Sequence, residues 1–258
     1  IKNVNSLTDT MLEFLSFNEN ILLSTAQRLS RNNHENLHQP ASISGISQLS
    51  KQIKSVAILD LDYQVVVASG EYYADDWRGL FSVQGLQKSS IGKPFRMSAF
   101  GDYFLPMLVP IYNTEDKTGD ICCYLAATFQ VIGEDGIWST SSVNIKNTTI
   151  QLVADDGEVY AAYPENISLL PSFFTQRVSA AILDELSTIK DKKHVAGDVA
   201  QRTEIIYFNA QKVPGFGGYV VASFKYNDLL ETWITKTKPT VLIILAVYIF
   251  TILILKLG

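Results

Sequence analysis

An uncharged apolar run near the end of the chain constrains its fold more than any other feature. Residues 241–255 carry no charged side chain. As a helix, the stretch 239–257 would be roughly 28 Å long, close to the ~30 Å hydrocarbon core of a bilayer. Trp233, Lys236 and Lys238 precede it, where indole and ammonium groups suit a membrane interface. Because the run has no polar face, it predicts a membrane helix and not a helix of a soluble core.

The ends of the chain suggest a piece of a longer protein. The first residue is Ile1, and Gly258 follows the apolar run almost at once. We therefore expect a further anchor before Ile1 and a further domain after Gly258. The lysines before the run would favour a cytoplasmic location for the preceding residues, but large domains cross membranes largely regardless of nearby charge. Charge alone leaves the topology open.

The composition fits one or two folded domains before the apolar run. Apolar residues make up 47% of the chain, and the net charge is -5. The Lys and Arg residues form no stripe, which argues against nucleic-acid binding. The sequence shows no catalytic constellation, and His34 and His38 lack further ligand residues nearby. We expect no enzyme activity in this chain, no cofactor and no metal site.

Two cysteines, Cys122 and Cys123, are adjacent in a predicted strand. Successive side chains of a strand point to opposite faces, so we expect the two thiols to lie apart. A bond between them would also be strained. The pattern indicates small strand residues, not a redox pair or metal ligands.

A long amphipathic helix is predicted over residues 4–31. Its apolar residues recur at three- and four-residue steps from Val4 to Leu29. Such a helix could pack on its own domain or pair with a second copy, and both can hold. After a break at Gln39 and Pro40, a second, shorter helix is predicted at about 43–53.

Two modules of similar plan are predicted after these helices, so we expect an α+β fold with antiparallel sheets. Each module has hairpins rich in β-branched residues and an irregular or helical segment between them. The strands of the first module are predicted at 55–69, 102–112 and 119–129. The elements of the second are predicted as strands at 149–163, 197–209 and 217–224, a helix at 172–189 and an exit helix at 227–238.

Several segments resemble the extracytoplasmic double Cache sensor region of bacterial membrane receptors. Residues 56–69 are similar to its strand, turn and strand ending in serine, and 76–81 (Asp-Trp-Arg-Gly-Leu-Phe) to its Asp-Arg-x-Tyr-Phe segment. Residues 91–94 (Ile-Gly-Lys-Pro) resemble its Ile-Gly-x-Pro step. Residues 149–164 resemble a second-module pattern often attached to diguanylate cyclases that carry a GGDEF domain. The resemblance covers nearly the whole chain.

The chain departs from that family at two places. Tyr63 and Gln64 stand where the first hairpin turn usually has glycine, and Trp77 is inserted between the Asp and Arg of the second segment. The full motif of the amino-acid-binding members is not found, so the ligand class does not carry over. The resemblance nevertheless implies four parts: 1–54 as an N-terminal dimerisation helix with a second helix, 55–146 and 147–226 as membrane-distal and membrane-proximal PAS-like modules, and 227–258 as the exit helix and transmembrane segment.

Candidate ligand-binding residues lie in the first module. Aromatic walls with a few charges suit a small-molecule pocket, in which Arg78 could bind a carboxylate and Asp102 an ammonium group. Arg78 could instead pair with Asp75 or Asp76 on the surface. The full set is Tyr72, Tyr73, Asp76, Trp77, Arg78, Phe81, Arg96, Asp102, Tyr103, Phe104 and Tyr112. A weaker set in the second module is Tyr160, Tyr163, Arg202, Tyr207 and Phe208.

The resemblance implies a sensor region that relays binding of a small molecule, for example an amino acid or a carboxylate, through the exit helix. We expect a homodimer in a bacterial inner membrane, with residues 1 to about 235 in the periplasm. The output implied first is a diguanylate cyclase, with a histidine kinase or a chemoreceptor as alternatives. A different hypothesis is a membrane-tethered module that binds no ligand and only dimerises or binds a protein partner.

Overall fold

The computed structural model describes two antiparallel sheets joined by one long helix. The described residues are 2–31, 39–40, 43–70, 74, 76–81, 87–96, 102–113, 119–131, 136–138, 148–163, 176–188, 194–201, 204–213 and 216–257. The α+β fold with an N-terminal helix and antiparallel sheets is therefore as predicted.

The N-terminal helix, α1 (Lys2–Arg31), confirms the amphipathic pattern. Its inward side chains, including Met11, Leu15, Leu22 and Leu29, are buried. They share one core with side chains from both sheets. The helix therefore packs on its own chain, which is one of the two roles predicted for it.

The first sheet has the strand order β2-β1-β6-β5-β3, and β4 also pairs with β5. All of these pairs are antiparallel. The strands are β1 (Ile53–Leu59), β2 (Val65–Ser69), β3 (Ser90–Ile91), β4 (Phe95–Arg96), β5 (Tyr103–Tyr112) and β6 (Ile121–Gln130). The predicted hairpin at 55–69 and the strands at 102–112 and 119–129 are confirmed. The short strands β3 and β4 were not predicted.

The second sheet has the strand order β8-β7-β11-β10-β9. Its elements are β7 (Thr148–Ala154), β8 (Val159–Tyr163), α2 (Ala180–Thr188), β9 (His194–Gln201), β10 (Glu204–Val213) and β11 (Gly218–Lys225). Ile182 and Leu186 of α2 pack with Phe208, Tyr219 and Val221 on one face of this sheet. Residues of α1 share a core with the other face.

Three predicted elements differ in extent. The helix expected at 43–53 is only a 3-10 turn, Ile46–Gln48, and Ile53 already begins β1. Such a short segment gains too few helical hydrogen bonds to offset its nucleation cost. Residues 172–175 and 189 of the helix expected at 172–189 lie outside the described residues. The described helix begins at Ala180, because the Ser179 Oγ accepts a bond from the Ile182 amide (3.4 Å) as an N-cap. The single strand expected at 197–209 is two paired strands, β9 and β10.

The expectation that the two thiols lie apart was wrong. Ile111 of β5 faces Cys123, whereas Tyr112 faces Ile121, so Cys122 is an extra residue in a β-bulge. A bulge interrupts the strict alternation of side chains. The Sγ atoms of Cys122 and Cys123 consequently lie 3.2 Å apart.

The last helix, α3 (Tyr226–Leu257), follows β11 without an intervening residue. This confirms that the exit helix continues into the apolar run. Many of its apolar side chains are exposed, including Ile243, Ile244, Val247 and Tyr248. Across the part of the chain that the structure describes, no helix has the combined length and apolar content needed to cross a membrane.

Candidate functional site

A compact group of aromatic side chains covers the face of the first sheet that points away from α1. Alternation along β5 and β6 sends one set of side chains into the core shared with α1 and the other set to this outer face. We call the group the aromatic patch, and it comprises Tyr63, Trp77, Phe81, Phe95, Phe104 and Tyr124.

Ring contacts hold the aromatic patch together. The Tyr63 ring stacks on Tyr124, with centroids 5.3 Å apart, and on Phe81 at 6.4 Å. Phe95 lies between Trp77 and Phe104, at 6.4 Å and 5.9 Å from them. Aromatic pairs at such distances are worth about 0.5–1.5 kcal/mol each beyond the area that they bury. The patch is therefore a well-packed unit.

Tyr63 contributes to the patch from a strained backbone conformation. It lies in the β1–β2 turn with a φ of 66°, in the left-handed region that bulky residues avoid. Asp60 stabilises the turn, because its Oδ1 accepts bonds from the amides of Asp62 (2.9 Å) and Gln64 (2.8 Å). Such strain costs about 1–3 kcal/mol and is typical of functional sites. The two stacking contacts of the ring help to offset it.

A short turn carries Trp77 and Phe81 onto the sheet. Its centre is the 3-10 turn Arg78–Leu80, and the Asp76 Oδ1 accepts a bond from the Gly79 amide (3.2 Å). The Lys93 amide donates to the Leu80 carbonyl oxygen at 2.7 Å. Gly92 makes this approach feasible, because a Cβ atom there would lie 2.8 Å from that same oxygen. The segment after β3 thus fixes the turn in place.

The Trp77 indole is the most unusual group in the patch. Its side chain is only 2% exposed, and its Nε1 finds no hydrogen-bond partner among the described residues. A buried donor without a partner costs about 1–3 kcal/mol. The Trp138 Nε1 is in the same condition, but Trp138 contacts Tyr163 of the second module (6.2 Å between ring centroids). Trp77 differs from Trp138 in that its indole lies within the aromatic patch, whereas Trp138 lies in the core shared with α1.

The structure does not bring those predicted site residues that it describes into one pocket. Trp77 and Phe81 lie in the aromatic patch, together with Phe104. Tyr103 belongs instead to the core shared with α1, and the Arg96 guanidinium lies 5.7 Å from its ring centroid. Arg78 and Tyr112 are exposed, and Asp102 is half-buried. The Tyr112 hydroxyl donates to the Gln87 carbonyl oxygen (2.6 Å). Tyr72 and Tyr73 lie outside the described residues.

The second-module candidates do not converge either. Tyr160 is in the core shared with α1 and contacts Phe216, with ring centroids 5.4 Å apart. Tyr207 stacks on Phe224 at 5.6 Å, whereas Phe208 lies on the α2 side of the sheet. Arg202 lies outside the described residues. The described residues of this module therefore form no aromatic patch like that of the first.

Sequence reasoning did not single out Tyr63, Phe95 and Tyr124, which belong to the aromatic patch. One signal was present for Tyr63, since it replaces the turn glycine of the resembling family. Another was present for Tyr124, because alternation along β6 places it on the face opposite to Leu125. No local pattern marks Phe95, whose place follows from the pairing of β4 with β5.

Burial changes the ionisation of one patch residue. Burial, followed by the neighbouring Tyr63 hydroxyl, raises the pKa of Tyr124 to about 12. The pKa of Tyr160 in the second module is also raised, mainly by burial. Both phenols therefore stay neutral at physiological pH, and Tyr124 offers the patch a neutral hydroxyl.

Other candidate sites are poor. Among the described residues, no group of three or more His, Cys, Asp and Glu side chains could hold a metal ion. A cleft between the modules is lined by residues that include Leu15, Glu19, Ser89 and Phe216, and the Ser89 Oγ donates to the Glu19 carboxylate. The cleft is partly open to solvent, and its volume of about 10 Å³ suits about one water molecule. It is too small for an amino acid.

Known structures share this fold. The chain aligns with an extracellular ligand-binding receptor of Desulfohalobium retbaense at 12% identity and a TM-score of 0.57, over 86% of this chain and 38% of that one. It aligns with the extracellular domain of rpHK1S-Z16, described as a histidine kinase, at 14% identity and a TM-score of 0.60, over 89% and 94% of the two chains. The chain thus spans well under half of the first protein and nearly all of the second domain.

A third similar structure carries a ligand. It is the ligand-binding domain of the Pseudomonas aeruginosa PAO1 amino acid chemoreceptor PctB in complex with L-Gln, with 13% identity and a TM-score of 0.57 over 88% of this chain and 90% of that one. No protein-family model matches the sequence, and no curated protein matches it. At these identities the likeness establishes the fold, which is that of extracellular sensor domains.

The raised pKa of Tyr124 predicts a loss of stability in alkali. An unfolded tyrosine ionises near pH 10, whereas the folded one keeps its proton to about pH 12. The contribution is therefore complete below about pH 10 and is lost as the pH rises towards about 12. In Tyr124→Phe, the free energy of unfolding measured with urea should fall less steeply between about pH 10 and 12 than in the unchanged chain.

Leu108→Ala is the matched control, because Leu108 is equally buried on the same face and does not ionise. It should lower stability by a similar amount at every pH. An identical pH dependence in Tyr124→Phe and the unchanged chain would contradict the shift. The free energy of unfolding will still fall with rising pH in both chains, because the pKa of Tyr160 is also raised.

Proposed function

We propose that this chain is the extracytoplasmic small-molecule sensor region of a bacterial transmembrane signalling protein. The observation that carries the proposal is the buried, unpartnered Trp77 indole N–H within an aromatic patch. The shared fold of extracellular sensor domains supports it. The chain itself contributes recognition and relay, and catalysis would belong to a separate output domain.

The chemistry of the patch favours a ligand with an apolar part and a hydrogen-bond acceptor. Aromatic faces supply contact area, and the Trp77 N–H would donate to a carboxylate or carbonyl oxygen. A free amino acid or a related carboxylate has both features. Arg78, at the exposed start of the same turn, would attract the carboxylate by charge.

Ligand binding would have to open the patch, because Trp77, Phe81, Tyr63 and Tyr124 are all buried against one another. The turn over 77–81 is the element that can separate from the sheet, since it contributes no strand to it. In the alternative function, the patch is only a core, and the chain dimerises or binds a protein partner without a ligand. The close packing of the aromatic patch is the observation that favours the ligand-free function. A ligand that raises the Tm distinguishes the two functions.

A relay from the turn to the second module is also available. The Lys93 amide binds the Leu80 carbonyl oxygen in the turn, and the Lys93 Nζ lies 2.8 Å from the Glu158 Oε2 in the second module. Glu158 follows the β7–β8 turn, where the Asp155 amide donates to the Gly217 carbonyl oxygen (2.9 Å). Gly217 precedes β11, and β11 continues directly into α3. Displacement of the turn would thus reach α3 through two loops and one strand.

We assign α3 to the membrane. Exposed apolar side chains from Val241 to Tyr248 need a nonpolar environment. The side chains at 246, 249–251 and 253–258 of the apolar run lie outside the described residues. In this arrangement, residues 1 to about 235 lie in the periplasm, and a homodimer would pair the exposed side of α1.

The output domain would be one of three kinds, a histidine kinase, a chemoreceptor or a diguanylate cyclase. A histidine kinase or a chemoreceptor output is supported by the similar structures, two of which are described as such proteins. A diguanylate cyclase is supported only by the resemblance of residues 149–164 to modules that precede such enzymes. The proposed division into 1–54, 55–146, 147–226 and 227–258 serves any of these outputs.

A screen by thermal unfolding tests the sensor role. The probes are the proteinogenic L-amino acids, dicarboxylates and polyamines. At about 100 times its Kd, a ligand of the folded state adds about 2.7 kcal/mol, which raises the Tm of a chain of this size by about 5–10 °C. Failure of every probe to raise the Tm of the unchanged chain would favour the ligand-free alternative.

Trp77→Phe then tests the site, using the probe that gives the largest shift. It keeps the aromatic ring and removes the N–H, so it should weaken binding by about 10- to 150-fold, the value of a hydrogen bond to a charged group. Trp138→Phe is the matched control, because it removes an equally buried and unpartnered indole N–H elsewhere. Equal affinity in both variants, measured by calorimetry, would remove Trp77 from the site.

Lys93→Met tests the relay. The measurement uses a saturating concentration of the probe that gives the largest Tm shift. Hydrogen exchange in residues 155–163 and 218–230 should then change in the unchanged chain and change much less in Lys93→Met. The Kd of the probe should be nearly the same for both chains. Lys88→Met is the control, since Lys88 is exposed in the segment before β3. The exchanged pair Lys93→Glu with Glu158→Lys should restore the response. A full response in Lys93→Met would eliminate the ion pair as a relay.

Flotation with phosphatidylcholine vesicles tests the membrane assignment. The full chain should float with the vesicles, and a chain carrying Ile244→Asp and Val247→Asp should float much less, because each charge near a helix centre opposes insertion by about 2.5–3.5 kcal/mol. Leu230→Asp, which lies before the apolar run, should behave as the unchanged chain. If the unchanged chain stays in the aqueous fraction, α3 is not a membrane helix.

A further inference from the structure

The β-bulge in β6 brings two thiols together that a regular strand would hold apart. The Sγ atoms of Cys122 and Cys123 lie 3.2 Å apart, and both cysteines are in the thiol form. The bulge causes this, because the pairing of β5 with β6 skips Cys122. A disulfide would require the two sulfur atoms to approach to about 2.0 Å, a small movement at a site that is already irregular.

The two thiols differ in access and in acidity. Cys122 is partly exposed and its thiol donates to the Ile111 carbonyl oxygen (3.4 Å), whereas Cys123 is buried. The hydrogen bond with Cys122 and burial raise the pKa of the Cys123 thiol. Because the thiolate is the nucleophile in exchange, Cys122 is the thiol that reacts first with a reagent from solution.

We propose that Cys122 and Cys123 form a dithiol site that reacts reversibly with small disulfides. The Cys122 thiolate attacks one sulfur of the external disulfide, so that a mixed disulfide forms and one small thiolate leaves. The Cys123 Sγ, after losing its proton to water, then attacks the Cys122 Sγ. This forms the Cys122–Cys123 bond and expels the second small thiolate. The two protein thiols are oxidised and the external disulfide is reduced to two thiols.

The bond should be labile and not a structural staple. Adjacent Cα atoms are about 3.8 Å apart, below the usual range of about 4.4–6.8 Å across a disulfide. Strained disulfides are easily reduced, which is the property of a regulatory bond. This differs from a disulfide that closes a long loop and stabilises the fold.

The dithiol site adjoins a contact with the end of α1. The bulge falls between Ile111 and Tyr112, and the Tyr112 carbonyl oxygen accepts a bond from the Ser30 Oγ. The Tyr112 hydroxyl also donates to the Gln87 carbonyl oxygen at 2.6 Å. A ring closed through Cys122 and Cys123 in β6 would therefore alter the pairing of β6 with β5, the strand that makes this contact with α1. The inference rests on the bulge and not on the proposed ligand.

Glutathione disulfide, added to the reduced full chain, tests the proposal. Mass spectrometry should show a product lighter by two hydrogen atoms, without a glutathione adduct, in which both thiols resist alkylation. Reduced glutathione should restore the starting mass. Cys123→Ala should instead accumulate a glutathione adduct at Cys122, and Cys122→Ala should react much more slowly, because the remaining thiol is buried.

Three results would overturn the proposal. The unchanged chain could remain a dithiol at every ratio of oxidised to reduced glutathione, it could retain a stable adduct, or it could form cross-linked dimers on a non-reducing gel. Each of these results is read on the unchanged chain, so it does not depend on the folding of a variant. None of them bears on whether the aromatic patch binds an amino acid.

Discussion

The packing of α1 against both sheets is the interaction on which the rest of the structure depends. Leu22 and Leu29 lie in a core that also contains Leu105 of the first sheet and Val220 of the second. Each large apolar side chain buried in this way contributes about 1.5–3 kcal/mol. The same helix face buries Asn18, whose Oδ1 finds no partner among the described residues, at a cost of about 1–3 kcal/mol. The packing of α1 is thus favourable overall, although the buried Asn18 oxygen lowers its contribution to stability.

Because α1 occupies one face of the first sheet, the proposed ligand site is on the outer face. Two local rules are broken at that face, in addition to the Asn18 and Trp138 atoms on the α1 side that lack a partner among the described residues. Tyr63 has a positive φ, and the Trp77 N–H is buried without a partner. Conflicts between local preference and fold concentrate at functional sites, since evolution tolerates their cost only for a use. The two conflicts lie in one aromatic patch, which is the physical case for a site there.

The sequence predicts those parts of the fold that depend on local periodicity. The helix α1, the hairpin of β1 and β2, and the continuous exit helix all follow from the spacing of apolar residues. The side-chain contacts of the candidate sites do not follow from this spacing, because they depend on pairing between strands that are distant in the sequence. Arg96 and Tyr103 join the α1 side only through the register of β4 on β5, and the thiols of Cys122 and Cys123 meet only because β6 has an extra residue.

The free energy of the Lys93–Glu158 ion pair, compared with that of a two-state switch, limits how a signal could cross the molecule. The ion pair of Lys93 and Glu158 is partly exposed, so it is worth at most about 1 kcal/mol. A switch from 1:99 to 99:1 between two states needs about 5.5 kcal/mol of differential binding. The ion pair can therefore report a movement of the turn over 77–81, but it cannot drive the switch alone. The rest would have to come from the ligand, through tighter binding to one of two packings of α1 against the sheets.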